Sequence, residues 1–178
     1  GLCMGSGTLI AMRAGQRDEE GLREGVRSSF VLIALATAVL NAAAFAALAP
    51  MRTLLHVPDE VWGPMEEYLA VIFCGIAATF LYNYFACFLR AIGNAVAPLL
   101  FLAVAALLNI ALDFFFVLTL QRGVRGAAEA TVIAQYVSGL GLMLYALLRC
   151  PQLRGIHRGF SLRPACLREI AGYSLLTC

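Results

Sequence analysis

The sequence predicts an all-α protein, a polytopic bundle of helices that span a lipid bilayer. Of its 178 residues, 61% are hydrophobic and only 13% are charged, whereas a soluble domain carries about 25% charged residues. The mean hydropathy is +0.82. The apolar residues are gathered into runs of about 20, the length that a helix needs to cross about 30 Å of hydrocarbon. A lipid environment therefore explains both the composition and its pattern.

The chain begins inside an apolar run. This run, residues 1–12, is too short to span a bilayer, so we expect it to be the second half of a helix. A polar stretch follows at residues 13–27. Within it Glu19 and Arg23 have the favourable i,i+4 spacing of an acidic and a basic residue, which predicts a short surface helix leading into the next span.

Four complete spans are predicted after this stretch, at residues 26–49, 65–89, 95–118 and 126–148. The connections between them are short, which is typical of antiparallel neighbours in a helical bundle. The second connection is predicted at residues 50–64. A fifth connection at 149–168 leads to a further apolar run that begins at Ile170, which we interpret as the start of another helix.

The arginines predict the orientation. All thirteen basic residues are arginine, and most lie in the connections at 13–27, 90–94 and 149–168. Because positive loops stay on the cytoplasmic side, these three connections are expected to be cytoplasmic in a bacterial plasma or inner membrane. The arginines flank apolar runs and form no separate basic patch, so a nucleic-acid partner is not expected.

Two polar residues lie within the third complete span. Asn109 and Asp113 are four residues apart and share one helix face. A charge inside the membrane is costly and is usually retained for function. Asp113 has a short side chain and precedes three phenylalanines, so it is poorly placed to reach the membrane surface. We interpret it as a carboxylate that exchanges H⁺ or Na⁺; a structural pairing is the alternative.

The next span carries a polar stripe of Thr131, Gln135 and Ser138 at helical spacing. Thr131 is predicted at the depth of Asp113. Hydroxyl, amide and carboxylate oxygens suit a hard cation, so Na⁺ is a candidate ion for binding by Asp113, Asn109 and Thr131. Hydrogen bonds between helices, common for such residues in membranes, are the alternative.

The remaining polar residues of the spans are weaker candidates. Tyr82 and Tyr84 either line a cavity or pack, and Asn41 is interpreted as a hydrogen-bonding residue between helices, with a cavity as the lesser possibility. Tyr68 lies near the outer end of its span, where aromatic residues often mark the membrane surface.

One further acid lies inside the spans. Glu129 is expected to be solvated or paired with Arg122 or Arg125, since it lies about one turn from the outer surface. No phosphate-binding loop is present, and no catalytic set can be assembled at one membrane face. We therefore expect no enzymatic activity and no cofactor.

Several stretches resemble the multidrug and toxic compound extrusion family, namely residues 88–98 (FLRAIGNAVAP), 108–113 (LNIALD) and 123–135 (GVRGAAEATVIAQ). Residues 17–23 and 173–177 are similar to its bacterial DinF-like branch. The resemblance covers essentially the whole chain. It implies a secondary transporter of twelve helices in two six-helix lobes, which exchanges Na⁺ or H⁺ for cationic amphipathic drugs.

The resemblance also implies a domain organisation. Residues 1–148 would form part of the N-terminal lobe, from the second half of helix 2 to helix 6. Residues 149–168 would be the cytoplasmic linker between lobes, and residues 169–178 would begin helix 7. The partners implied are small-molecule drugs or toxic cations, the lipid bilayer and the remaining helices of the full-length chain.

The cation site that the resemblance implies consists of Tyr68, Asn109, Asp113 and Thr131, with an Asp from a first helix that is not in this sequence. The match at Tyr68 is the weakest, since Tyr82 or Tyr84 lies on the same span. The coupling ion, Na⁺ or H⁺, would bind Asp113.

Three other functions fit the sequence less well. A lipid-linked oligosaccharide flippase of the same superfamily should place basic residues in its cavity, but no arginine lies in the middle of a span. An intramembrane lipid-modifying enzyme would need a catalytic partner for the single deep acid. A scaffold would leave the shared depth of Asn109, Asp113 and Thr131 unexplained.

Overall fold

The computed structural model describes residues 2–54 and 59–150, together with positions 153, 169, 170 and 172. This part of the chain forms helices α1 (Leu2–Gly15), α2 (Glu19–Leu54), α3 (Asp59–Ala91), α4 (Val96–Asp113) and α5 (Gly123–Arg149). A π-helix, Phe114–Thr119, directly continues α4. The predicted all-α class is confirmed. The predicted linker at 149–168 and the last ten residues lie largely outside the described residues.

In the described part of the chain, four helical segments are long and apolar enough to cross a membrane, judged by length and composition. They are Glu19–Leu48, Met65–Ala91, Val96–Thr119 and Gly123–Arg149. They coincide with the four complete spans predicted from the sequence, so the prediction of a multi-pass membrane protein is confirmed.

The helices extend into the connection predicted at residues 50–64, which lies between the spans that end at Leu48 and begin at Met65. Helix α2 continues through Pro50 to Leu54, and α3 already begins at Asp59. The prediction ended the spans where the apolar runs end, but a membrane helix extends beyond the hydrocarbon, and proline is tolerated within such helices. The polar residues after Asp18 are likewise the first turns of α2 rather than a separate surface helix, with Arg23 3.6 Å from Glu19.

The span predicted at residues 95–118 has the right extent but changes its pitch. Beyond Asp113 the backbone adopts π-helical geometry, and the amide of Leu120 donates to the carbonyl of Phe115, five residues earlier, at 3.1 Å. Short π segments interrupt α-helices frequently at functional sites. The interruption here begins directly after the one deep acid of the span.

Helix α3 is central to the bundle. It packs against α1 and α2 on one side and most extensively against α5 on the other, while α4 lies mainly against α5. The α3 and α5 backbones approach closely at two glycines, because a Cβ atom on Gly139 would lie 2.9 Å from the carbonyl oxygen of Ala78, and one on Gly75 would lie 2.9 Å from Val132 Cγ2. Small residues at such contacts are the usual means by which membrane helices pack.

The two ends of the bundle differ in packing. We call them the 90–94 end and the 119–125 end, after the connections there. The main buried cluster lies toward the 90–94 end, around Tyr84, Phe88 and Leu142. In contrast, no residue in the most apolar stretch of the span Val96–Thr119 is buried within the described chain. This exposure is expected for a helix that faces lipid.

Candidate functional site

Asn109 and Thr131 join α4 to α5. The Asn109 Nδ2 group donates a hydrogen bond to Thr131 Oγ1 at 3.3 Å, and the Thr131 hydroxyl donates to the carbonyl of Ala127 at 3.0 Å. Both side chains are half-buried. The sequence placed Thr131 level with Asp113, but the structure places it level with Asn109, one turn deeper, because α5 begins three residues earlier than predicted.

Asp113 lies one helical turn beyond Asn109, on the same face of α4. Its Oδ1 atom is buried and has no hydrogen-bond partner within the described part of the chain. A buried acceptor without a donor costs about 1–3 kcal/mol, and more when the group is charged. Such an oxygen is therefore suited to bind a proton or a cation.

The arginines nearest in sequence to Asp113 are held by other acids. Arg122 Nη1 is 2.6 Å and Arg125 Nε is 3.0 Å from the carboxylate of Glu129, and Arg125 Nη1 is 2.8 Å from Glu67 Oε2. The prediction that Glu129 pairs with these arginines is confirmed. Among the described residues, no arginine forms a salt bridge with Asp113.

Tyr68 is not joined to the other site residues. No hydrogen bond in the described chain links its hydroxyl to Asn109, Asp113 or Thr131, although the side chain is half-buried. Tyr68 nevertheless lies at nearly the same position along the bundle axis as Asp113. Gly75 lies against Val132, and Tyr68 is seven residues, about 10 Å, nearer the 119–125 end, while Asp113 is about 6 Å beyond Asn109. Tyr68 and Asp113 are thus within about one turn of the same level.

A polar stripe continues from Thr131 toward the centre of the bundle. Gln135, one turn deeper on α5, accepts a hydrogen bond from the hydroxyl of Thr79 on α3 at 3.0 Å. The amide of Asn83 in turn donates to the carbonyl of Thr79 at 2.8 Å. Sequence reasoning did not single out Thr79, although Thr79 and Asn83 are separated by one helical turn and this i,i+4 spacing is visible in the sequence.

The other polar candidates serve packing in the described structure. Ser138 is buried and donates to the carbonyl of Phe101, and Tyr82 donates to the carbonyl of Pro98. Tyr84 is 1% exposed and donates to the carbonyl of Val26 at 2.6 Å. For Tyr84 the structure thus favours the packing alternative over cavity lining.

Asn41 bonds two helices, as interpreted from the sequence. Its Nδ2 atom, on α2, donates to the carbonyl of Phe73, on α3, at 2.7 Å. The bond lies beside the edge-to-face contact of Phe45 and Phe73. Asn41 therefore holds α2 against α3, away from the α4–α5 contact that contains Asn109 and Thr131.

The α4–α5 group offers a hard cation three kinds of oxygen. Asp113 supplies a carboxylate, Thr131 a hydroxyl and Asn109 a side-chain carbonyl. The Asn109 amide nitrogen is the hydrogen-bond donor to Thr131, so the Asn109 carbonyl oxygen remains available as an acceptor. Oxygen ligands of these kinds are suited to a small hard cation.

Comparisons with known proteins identify the family. The MatE family model matches residues 1–115. A probable multidrug resistance protein, YpnP of Bacillus subtilis, is 30% identical over 140 residues, which are 79% of this chain and 32% of that protein. A probable multidrug resistance protein named NorM, from Thermotoga maritima, is 28% identical over 155 residues, covering 82% of this chain and 32% of the relative.

Solved structures agree with this assignment. The inward-facing conformation of a multidrug resistance MATE family transporter of the MOP superfamily has a TM-score of 0.88 at 28% identity, over 98% of this chain and 40% of that one. A MOP superfamily transporter from Pyrococcus furiosus, described as having a binding pocket of reverse polarity, has a TM-score of 0.84 at 27% identity, over 98% and 39%.

The chain spans about a third of the length of the curated relatives it matches. The family model covers most of this chain. The helical fold of the chain matches a solved transporter over nearly all of its length. The resemblance predicted from residues 88–98, 108–113 and 123–135 is therefore confirmed: the chain belongs to the MatE family of multidrug and toxic compound extrusion transporters.

Proposed function

We propose that the full-length protein is a secondary active antiporter that exports cationic amphipathic compounds in exchange for Na⁺ or H⁺, with Asp113 as the carboxylate that binds the coupling ion. The observation that carries this proposal is the buried Asp113 Oδ1, which has no partner within the described chain. Family membership supports transport as the activity, since the relatives are named multidrug resistance proteins.

Coupling requires only that the ion and the drug prefer different conformations. Binding of a proton or Na⁺ at Asp113 would neutralise a charge between α4 and α5 and stabilise the conformation in which this contact is tight. Export of the drug would use the other conformation. Asn109 and Thr131 support Na⁺ binding, because their oxygens complement the carboxylate; with H⁺ they would instead orient the protonated carboxyl group.

The protein is proposed to lie in the bacterial plasma or inner membrane with residues 13–27, 90–94 and 149–168 in the cytoplasm. This orientation follows from the arginines at the 90–94 end. The rest of the drug cavity would come from the remaining helices of the full-length chain, which supply the other lobe. No cofactor is required, because the ion gradient supplies the energy.

The experiment is efflux of a fluorescent cationic dye from proteoliposomes that contain full-length protein. We expect Asp113→Asn to abolish the stimulation of efflux by an imposed Na⁺ gradient or pH gradient, whichever drives the wild type. Applying the two gradients separately identifies the coupling ion. Unchanged gradient dependence in Asp113→Asn would remove Asp113 from the coupling mechanism.

Glu66→Gln is the matched control. Glu66 is an exposed acid near the 119–125 end of α3, so this variant also loses one carboxylate at the membrane. We expect its gradient dependence to equal that of the wild type. Equal losses in both variants would indicate a general effect of membrane charge and would contradict a specific role for Asp113.

Two other functions are less well supported. A flippase for anionic lipid phosphates should place arginines deep in the spans, but Arg122 and Arg125 lie at the 119–125 end and are held by acids. An intramembrane enzyme would need a catalytic partner beside Asp113. The neighbours of Asp113 on α4 and α5, Asn109 and Thr131, neither titrate nor form a nucleophile–base pair.

A further inference from the structure

The π segment Phe114–Thr119 places an additional residue between α4 and the turn that leads to α5. A π-helical amide bonds to the carbonyl five residues earlier, so a π turn contains about one residue more than an α turn. One residue corresponds to about 100° of rotation about the helix axis. We call this turn of the span the wide turn. Its position decides which residues keep the rotational setting of α4 and which keep that of the connection to α5.

The α4 side of the wide turn is held in place. Tyr82, on α3, donates to the carbonyl of Pro98 at 3.0 Å, and Ser138, on α5, donates to that of Phe101 at 3.3 Å. Further along, Asn109 is bonded to α5. These contacts oppose a rotation of α4 as a whole.

The α5 side of the wide turn is held as well. The amide of Arg122 donates to the carbonyl of Phe116 at 3.0 Å. Phe116 also lies against the start of α5, where a Cβ atom on Gly126 would be 3.1 Å from Phe116 Cβ. Because both flanks are fixed, the additional residue is retained between them, and only its place in the span is free to change.

The outer face of the wide turn offers little resistance to such a change. Phe114 is 62%, Phe115 49% and Leu118 65% exposed, and no residue of Phe114–Thr119 is buried within the described chain. These side chains face the hydrocarbon, whose chains adapt to a new arrangement. A change of pitch here therefore disrupts no packed core.

We propose that the wide turn moves past Asp113 along the span as the coupling ion binds and leaves. In the structure the wide turn follows Asp113, so the carboxylate lies on the face of α4 that carries Asn109. When the wide turn precedes Asp113, the carboxylate turns away from that face by about 100°, and Phe114 takes its place. The proposal rests on the proposed function, because it gives the ion site a second conformation that releases the ion.

Ion binding selects between the two positions of the wide turn. In the position seen, Asp113 Oδ1 is buried without a partner in the described chain, one helical turn from the oxygens of Asn109 and Thr131. A bound cation or proton stabilises this position, whereas the buried oxygen alone disfavours it. A ligand that stabilises one of two conformations shifts the population toward it.

Two single-residue deletions in the full-length protein test the proposal, because each leaves an α-helical span with no additional residue. Deletion of Phe115 keeps Asp113 in the setting of α4. Ion binding should stay close to the wild type, but gradient-driven dye efflux should fall about tenfold or more, since a ligand shifts nothing when both states are not available. Binding is measured with radioactive Na⁺, or as proton uptake with a pH indicator.

Deletion of Leu112 is the matched variant, since it removes one apolar residue on the other side of Asp113. It fixes Asp113 in the setting of the connection to α5. Ion affinity should then fall about tenfold or more, because the carboxylate no longer complements the oxygens of Asn109 and Thr131. Wild-type efflux after deletion of Phe115, or equal ion affinity in the two deletions, would overturn the proposal.

A fluorescent label follows the wide turn without a deletion, so this measurement decides the question even where a deletion prevents folding. Phe114→Cys is labelled in full-length protein without its native cysteines and reconstituted in brominated lipid, which quenches a label that faces the hydrocarbon. Removing the ion should lower the quenching by about half, since position 114 turns by about 100° toward α5.

Leu107→Cys is the control position for the label. Leu107 is 69% exposed on the fixed part of α4, so its quenching should be the same with and without the ion. An unchanged signal at position 114 would refute the moving turn, and an equal change at both positions would show that α4 moves as a whole and would refute it too.

The ion site and the moving turn fail on different results. Wild-type coupling in Asp113→Asn refutes the ion site. If Asp113→Asn abolishes coupling while the label at position 114 is quenched equally with and without the ion, the ion site stands and the moving turn is refuted.

Discussion

The side-chain amide of Asn109 is bonded to the hydroxyl of Thr131 at 3.3 Å, one helical turn from the Asp113 carboxylate oxygen that has no partner among the described residues. This bond fixes the distance between α4 and α5 at the depth where the coupling ion is proposed to bind. The two helices otherwise meet mainly through apolar and small residues. Ion binding beside this bond would therefore change the packing of both helices.

Thr131→Val tests the part of the hydroxyl in the ion site. Valine keeps the branched shape but removes the oxygen, so Asn109 loses its partner and the ion loses a ligand. Hydrogen bonds between membrane helices average about 0.6 kcal/mol and reach about 1.7 kcal/mol, and the lost ion ligand adds to this cost. We expect the half-saturating Na⁺ concentration to rise about fivefold or more, or the pH profile of efflux to shift, with the maximal rate largely kept.

Ser6→Ala is a suitable control for that variant. The Ser6 hydroxyl also donates to a carbonyl of its own helix, that of Cys3, at 2.9 Å, but it lies on α1. Its removal should leave the ion dependence unchanged. An equal shift in Ser6→Ala and Thr131→Val would show that the hydroxyl acts through stability alone.

Glu129→Gln separates an ion-paired acid from the proposed ion-binding acid. Glu129 is held by Arg122 and Arg125, and the three charges lie near the solvent-exposed 119–125 end, where ion pairs stabilise weakly. We expect the melting temperature in detergent to fall by about 1–3 °C, with unchanged gradient dependence of efflux. A loss of coupling as complete as that expected for Asp113→Asn would contradict this division of roles.

The sequence predicts the spans because hydrophobic length has one physical cause, the thickness of the bilayer. It does not predict how far the helices extend into residues 50–64, because backbone hydrogen bonding continues past the hydrocarbon. The π segment after Asp113 was also not predicted. The segment lies against α5 where Phe116 meets Gly126, a contact that no local pattern in 114–119 records.

The candidate site is predicted in part. Asn109 and Asp113 share a face by helical spacing alone, and the costs of burying polar groups make both conspicuous. Their alignment with Thr131 depends on where α5 begins, and composition does not fix that position. Thr79 was missed because a lone threonine in an apolar span is easily accommodated by its own helix; its bond to Gln135 becomes evident only when α3 is placed against α5.

Asn41→Ala should lower stability without changing coupling. The variant removes the 2.7 Å hydrogen bond from α2 to the carbonyl of Phe73 on α3. Such bonds between membrane helices average about 0.6 kcal/mol and reach about 1.7 kcal/mol. We expect a fall of a few degrees in the melting temperature. Thr8→Ala, whose hydroxyl donates to the carbonyl of Met4 within α1, should melt like the wild type, and equal melting of the two variants would contradict the interpretation.

Gly126→Ala tests whether the π segment sets the position of Asp113. A Cβ atom at Gly126 would lie 3.1 Å from Phe116 Cβ and 3.3 Å from its carbonyl carbon, so alanine should push the π segment away from α5. Because Asp113 directly precedes that segment, we expect the ion dependence of efflux to shift, whereas Gly15→Ala, with open space around it, should behave as the wild type. A thermal destabilisation of Gly126→Ala with an unchanged ion dependence would show that the contact serves packing and leaves the carboxylate where it is.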